Sequence, residues 1–212
     1  MSKNNIILSE ATPVEFQEAY NILRTNLNCV LNCEKSKIIA LTGGEKDDVS
    51  SVALNMSISF SQIDNNRVLL IDGDMHYSGL SAMLEVSDKD GLSNCLSGSS
   101  TREKCTVSLN NIDFLPAGSK TANPANLLDS QAAVNFCDDV KKCYDYVFIV
   151  LPSVCHWSDG VIFAKYADGF VPVVRHNITR YKELKSLINN LSLADGRILG
   201  FVYNKAPGNR RN

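Results

Sequence analysis

Lys37-Ile38-Ile39-Ala40-Leu41-Thr42-Gly43-Gly44-Glu45-Lys46-Asp47-Asp48-Val49-Ser50-Ser51 is the stretch on which the fold turns. Residues 37–42 form an apolar run of buried-strand length, and 50–63 read as the following helix. Between them Gly43 opens and Ser50 closes the frame G-x-x-x-x-G-K-[ST], a strand-to-helix loop whose backbone amides cradle phosphate. Asp48 stands where the frame has its second glycine, and Val49 where it has its lysine. Such a loop works by close backbone approach and a cation on the phosphate oxygens, and here two carboxylates and an isopropyl group take that place. At about 4 Å, one carboxylate against one phosphate charge costs roughly 1 kcal/mol in water and about 4 kcal/mol at a partly buried surface. Asp48 also lacks glycine's freedom to adopt positive φ, which the anion nest calls for. The remnant comprises Gly43, Gly44, Lys46, Asp48, Val49, Ser50 and Ser51. Lys46 is the one nearby ammonium that could replace the missing lysine, and Glu45, Asp47 and Asp48 compete for it.

Outward from this loop, short apolar runs alternate with helical patterns. Strands are expected at 37–42, 67–72, 112–116, 145–151, 170–175 and 198–203, and helices near 50–63, 79–84, 92–96, 125–141, 159–166 and 180–193. Strands separated by helices require crossover connections, which implies an α/β fold with a mostly parallel sheet covered on both faces. Ahead of the first strand, Phe16, Tyr20, Leu23, Leu27 and Leu31 make an apolar stripe at helical spacing. Thr12-Pro13-Val14-Glu15 supplies a hydroxyl N-cap, a first-turn proline and a capping-box glutamate. The expected organisation is a single domain over 1–212, with an added N-terminal helix at about 12–32, a core at about 37–205 and a loose tail at 206–212.

The chain has 212 residues, 44% apolar, enough for one sizeable core. Its formal charge of −2, with both signs interspersed, leaves no basic face for nucleic acid. Seven cysteines, odd in number and without a C-x-x-C pair, point to reduced thiols rather than a disulfide framework or a zinc site. Cys155 and His156 are sequence neighbours, an arrangement that seldom makes a nucleophile–base pair. His76, His156 and His176 are isolated and without metal-ligand spacing. No secretory signal and no apolar run of membrane-spanning length are visible, so a cytoplasmic location is expected, with membrane association only through a partner.

Six segments in order resemble the cytoplasmic domain of the bacterial tyrosine kinases of capsular and exopolysaccharide synthesis, the BY-kinases. They are Glu18–Leu27 (EAYNILRTNL), Val68–Met75 (VLLIDGDM), Gly91–Gly98 (GLSNCLSG), Leu115–Gly118 with Asn123–Leu128, Ser158-Asp159, and Val173–Arg175. The resemblance runs from about Glu18 to Lys205 and implies a P-loop NTPase three-layer α/β/α sandwich of the deviant-Walker, MinD/ParA-like kind, with an extra N-terminal helix. It also implies roles: Ser50 on phosphate and Mg²⁺, Asp72 and Asp74 for metal coordination and tyrosine activation, and a Walker B aspartate in the segment similar to Y-D-Y-I-I-I-D-T-P-P. Here that segment is Tyr144–Ser153 and its carboxylate position is Val150. Asp72 and Asp74, two residues apart, would point to one side beside the loop. They would serve either as a surviving metal site with Ser50 or as a carboxylate pair binding loop amides. Arg175 and Asn204 fall where the family holds part of its nucleotide pocket. Glu18, Asn21 and Arg24 align with its E-x-x-R-x-x-R oligomerisation pattern, with Asn21 in place of the middle arginine. The family's C-terminal tyrosine cluster has no counterpart after Tyr203.

These features favour a catalytically impaired, pseudokinase-like homologue that acts by binding protein, with no cofactor expected. The partner would be a transmembrane chain-length-control (polysaccharide co-polymerase) protein or an active kinase paralogue, with a homo-oligomer also open. The alternative is a divergent ATP- and Mg²⁺-dependent protein-tyrosine kinase. A third reading, a ParA/MinD-type ATPase, needs a lysine where Gly44 stands.

Overall fold

Alternation along the strands decides which face each side chain takes. Ile38 and Ala40, Leu69 and Ile71, Val147 and Ile149, and Phe170 share one apolar core. Ile39 and Leu41, Val68 and Leu70, Phe148 and Val150, and Val171 and Val173 share the other. Both sets are buried, as the period-2 geometry of a strand between two helical layers requires.

A computed structural model describes residues 7–32, 36–44, 46–63, 66–109 and 111–206, with the side chains of Lys46 and Asp47 outside that description. In chain order the elements are α1 (Val14–Val30), β1 (Lys37–Gly43), α2 (Lys46–Ser61), β2 (Val68–Asp72), α3 (Gly79–Met83), α4 (Leu92–Ser97), α5 (Arg102–Cys105), β3 (Val107–Leu109), β4 (Ile112–Leu115), α6 (Pro124–Leu128), α7 (Gln131–Cys143), β5 (Tyr146–Val150), α8 (Asp159–Phe163), β6 (Gly169–Arg175), α9 (Tyr181–Leu193) and β7 (Val202–Asn204). The strands form one seven-stranded sheet in the order β3-β4-β2-β5-β1-β6-β7. Among the described strand pairs only β3–β4 is antiparallel. Helices α1, α2 and α3 contribute to the core on one face, and α4, α6, α7, α8 and α9 to the core on the other. The three-layer α/β/α expectation holds.

Several boundaries differ from the sequence reading, each for a local reason. Pro13, not Thr12, is the N-cap of α1 and no side chain caps it; the Thr12 hydroxyl donates instead to the Ser9 carbonyl at 2.6 Å. The run 125–141 is two helices, because Ser130 caps a new one by accepting from the Ala133 amide. The strand expected at 198–203 is reduced to Val202–Asn204, with Ile198 making an isolated bridge to Phe170. The short antiparallel β3 and the single-turn α5 carry too little periodicity to be seen in sequence. The expected loose tail falls outside the described residues from Pro207 onward.

The register aligns Leu41 of β1, Val150 of β5 and Asp72 of β2 across the carboxyl end of the sheet. Gly43 pairs with Val173 in β6 on the other side. A parallel sheet offers ligands the crevice outside the carboxyl ends of its strands, so these residues mark where a site can form.

Candidate functional site

Helix α2 starts at Lys46, so the second half of the phosphate-loop frame, Lys46 to Ser50, is already helical. The helix expected from Ser50 therefore begins four residues early. Gly43 is required by crowding: a Cβ there would lie 2.7 Å from the Val173 carbonyl oxygen and 2.9 Å from Cγ2 of Val49. Val49 thus packs directly over Gly43 and belongs to the core that includes Val150 and Val173.

Asp48 has only 2% of its surface exposed. Its Oδ1 lies 2.9 Å from the ammonium of Lys205 and accepts a hydrogen bond from Nδ2 of Asn204 at 3.0 Å. Its Oδ2 lies 3.3 Å from Nε of Arg175, within ion-pair distance but without hydrogen-bond alignment, so this oxygen is held by charge alone. The first turn of α2 is therefore tied to the ends of β6 and β7. Arg175 and Asn204, singled out in the sequence as pocket residues, are brought together with the loop, but by its own carboxylate. Lys205 was missed; a lysine directly after a terminal strand asparagine carries no distinguishing pattern.

Asp72 and Asp74 both bind backbone amides, the second of the two roles expected for them, but only Asp74 lines the cavity beside the loop. Strand β2 ends at Asp72. Asp72 is fully buried, and its Oδ2 accepts from both the amide and the hydroxyl of Ser81 at 2.7 Å, while Oδ1 accepts from the Asp74 amide at 3.2 Å. Burial pushes its carboxyl up from 3.8 to about 6, against the pull of the Ser81 hydrogen bonds. The Ser81 hydroxyl also accepts from the Ala117 amide, so Asp72 knits β2, α3 and the end of β4 together.

Asp74 turns the other way, into a cavity of about 460 Å³. Its Oδ1 accepts from the amides of His76 and Tyr77, both at 3.1 Å, and Oδ2 takes no hydrogen bond from any described residue. Ser50 and Gly44 also line the cavity, together with Val49, Val150, Leu151, His156, Tyr77 and Trp157. An aromatic wall stands at its edge: His76 stacks on Trp157 with centroids 3.6 Å apart, and Tyr77 meets Trp157 edge-on at 6.3 Å. Nε2 of His76 lies 3.0 Å from Oδ2 of buried Asp159. Burial holds the Asp159 carboxyl above its ordinary range despite the opposing pull of His76. The sequence signal for this wall was present but unused: the chain's single tryptophan follows the carboxyl end of β5.

The remaining predicted positions separate from the site. Arg24 donates through Nη1 to the Ser59 carbonyl at 2.6 Å and the Ser59 hydroxyl at 2.9 Å, so it is engaged within its own chain. Asn21 donates to exposed Glu18 at 3.4 Å. Cys155 directs its thiol to the Glu183 carbonyl at 3.5 Å, away from any pairing with His156. The six described cysteines are all free. The side chain of Lys46, weighed as a replacement for the missing lysine against pairing within its own charged loop, lies outside the described residues.

The group implied by this fold is ATP with Mg²⁺, and the described donor set does not fit it. The glycine position carries a buried carboxylate, the lysine position a core valine, and the Walker B position Val150 presents a methyl surface. Asp72 spends its oxygens on Ser81 and Asp74. Among the described residues no group of three or more His, Cys, Asp or Glu is placed to hold a metal ion.

No protein-family model matches the chain. Similarity to individual proteins is consistent. The tyrosine-protein kinase Wzc of Salmonella typhimurium is 27% identical over 214 residues, covering 97% of this chain and 30% of Wzc. The succinoglycan biosynthesis transport protein ExoP of Rhizobium meliloti is 26% identical over 215 residues, covering 96% of this chain and 26% of ExoP. The tyrosine-protein kinase CpsD of Streptococcus agalactiae is 26% identical over 195 residues, covering 89% of this chain and 83% of CpsD. The chain thus spans between a quarter and a third of the length of the first two. Among solved structures, the chimerical protein CapA2B2 superposes with a TM-score of 0.84 at 25% identity, covering 93% of this chain and 87% of that one. The kinase domain of the Escherichia coli tyrosine kinase ETK gives 0.83 at 22% identity, covering 98% and 92%. A ParA family ATPase from Chlorobium tepidum gives 0.66 at 16% identity, covering 83% and 77%, which shows the shared fold alone.

The chain therefore has the P-loop NTPase α/β fold. More narrowly, it is BY-kinase-like, similar along nearly its whole length to proteins named as bacterial tyrosine-protein kinases and to one named as a succinoglycan biosynthesis transport protein.

Proposed function

We propose that this chain is a catalytically impaired member of the polysaccharide-synthesis tyrosine kinase group that works by binding another protein. The observation that carries the reading is the Asp48 ion cluster. A carboxylate fills the loop where a phosphate would be cradled, and Arg175 and Lys205 neutralise it. Phosphoryl transfer draws most of its acceleration from positioned positive charge, and here the cations at the ends of β6 and β7 are paired with a carboxylate of the loop instead. The partner in this reading is the cytoplasmic segment of a transmembrane chain-length-control protein or an active kinase paralogue. That places the chain in the cytoplasm, at the membrane only through its partner. Among the described residues no helix is long and apolar enough to cross a membrane itself.

Titration calorimetry with Mg-ATP tests the proposal: no heat of binding at millimolar nucleotide is expected. Micromolar binding, with transfer of label from ATP to a tyrosine substrate, would replace it with the divergent-kinase reading. One observation favours that second reading: Asp74 keeps an uncommitted oxygen in the same cavity as Ser50. Loss of label transfer in Asp74→Ala would then be its signature.

A further inference from the structure

The cleft that does not suit a triphosphate has chemistry of its own. Its volume, about 460 Å³, lies in the range of small-ligand sites. Among the described lining residues the one acidic group, Asp74, is only 5% exposed yet directs an oxygen without a hydrogen bond among those residues into the cavity. That oxygen is open to the cavity rather than sealed from solvent, and a ligand bearing a donor or a positive charge can bond it directly. Two aromatic rings, Tyr77 at 53% and Trp157 at 36% exposure, stand at the same cavity. Aromatic faces attract cations and planar guanidinium groups. The inner wall of Val49 and Val150 is apolar and supports a flat hydrocarbon. No described lysine or arginine lines the cavity. Arg175 and Lys205, at the ends of β6 and β7, are engaged by Asp48. Among the described lining residues, the one carboxylate has no cationic partner within the cavity.

We propose that this cleft is a binding site for a planar organic cation, an amidine, guanidinium or aromatic amine, held by Asp74 and packed against Tyr77 and Trp157. The inference rests on the reading that the cleft no longer serves nucleotide. The cation could come from a free small molecule or from an arginine side chain of a docked protein, and the chemistry of recognition is the same for both.

A series of one shape and three charges tests it. Benzamidine, benzamide and benzoate are titrated into the full chain at pH 8 by ligand-observed NMR and calorimetry. Benzamidine is expected to bind at least about tenfold more tightly than benzamide, and benzoate least, as a charge-assisted hydrogen bond dictates. Asp74→Asn is the decisive variant. Its carbonyl oxygen can still accept from the His76 and Tyr77 amides, so the loop is preserved and only the free oxygen changes. It should remove the preference for benzamidine over benzamide while the thermal unfolding curve stays in place. Tyr77→Ala should weaken benzamidine severalfold. Agmatine and N-acetylarginine amide separate the two sources: tighter binding of the amide assigns a protein side chain, and tighter binding of agmatine a free ligand. Equal binding of all three benzene derivatives, no binding at millimolar benzamidine, or an unchanged preference in Asp74→Asn would overturn the proposal. A parallel titration with Mg-ATP keeps the two readings apart. Nucleotide binding refutes the impaired-kinase reading, whereas failure of benzamidine alone refutes only this one.

Discussion

Asp48 replaces a position that needs no side chain with one whose carboxylate must find positive charge, and the ends of β6 and β7 supply it. Because Asp48 is buried while the side chains of Arg175 and Lys205 keep 32% and 40% of their surface, the pairs are only partly screened. Asp48→Asn retains the shape and the Asn204 contact but removes the charge. The two cations can then turn to solvent, so the expected loss is about 1–2 kcal/mol rather than the larger cost of stranding a buried ion. Urea denaturation measures it, and an unchanged midpoint would show that the cluster holds nothing together. Asp72 makes a separate prediction at the same scale. Its carboxyl is raised from 3.8 to about 6 by burial. Between about pH 4 and pH 6 the folded chain therefore keeps a proton there that the unfolded chain has lost. Stability from this group is fully present below about pH 4 and falls as pH rises through 6, by up to roughly 3 kcal/mol. Asp72→Asn, which can still accept from Ser81, should remove this component. The wild-type minus variant difference across that window is the quantity to measure.

Among elements, α2 departs from expectation at its start, which lies four residues early. Its first residues belong to the phosphate-loop frame, and their helical geometry removes loop that would otherwise wrap an anion. Restoring lysine alone should fail. Val49→Lys puts an ammonium into a core position that is 3% exposed, with Asp48 still anchoring the turn. Asp48→Gly, Val49→Lys and Val150→Asp together remove the anchor, supply the cation and return the Walker B carboxylate. The triple variant is expected to bind Mg-ATP by calorimetry where the wild type and Val49→Lys do not. The other element to test is α1, whose Arg24 reaches across to Ser59 of α2. Arg24→Ala should cost about 1–3 kcal/mol, the range for hydrogen bonds from a charged group. Its mass by light scattering should match the wild type. A changed mass without lost stability would return Arg24 to the intermolecular role expected from its pattern.

At the scale of the whole molecule, the order of strands and helices was legible because each central strand is buried on both faces and so reads as a continuous apolar run. Strand order was not, since pairing in a parallel sheet joins residues far apart: Lys37 with Tyr146, and Ile39 with Gly169. The site was legible at the substitutions Asp48, Val49 and Val150, because a motif frame assigns each position a duty. It was not legible where contacts cross between elements. That Asp72 and Asp74 diverge depends on β2 stopping at Asp72, and that Lys205 meets Asp48 depends on β7 lying beside β6.

What the chain's residues established unaided is local in origin: apolar period, crossover connections, and a phosphate-loop frame without its glycine, lysine or acidic partner. Those follow from steric and solvation rules acting over a few residues. The tertiary structure alone decided where the displaced charges go. Asp48 is neutralised from the far edge of the sheet, Asp72 is absorbed into packing, and Asp74 is left facing an aromatic cavity. Coulombic pairing and desolvation act through space, and at Asp48 folding brings together groups that the sequence keeps more than a hundred residues apart.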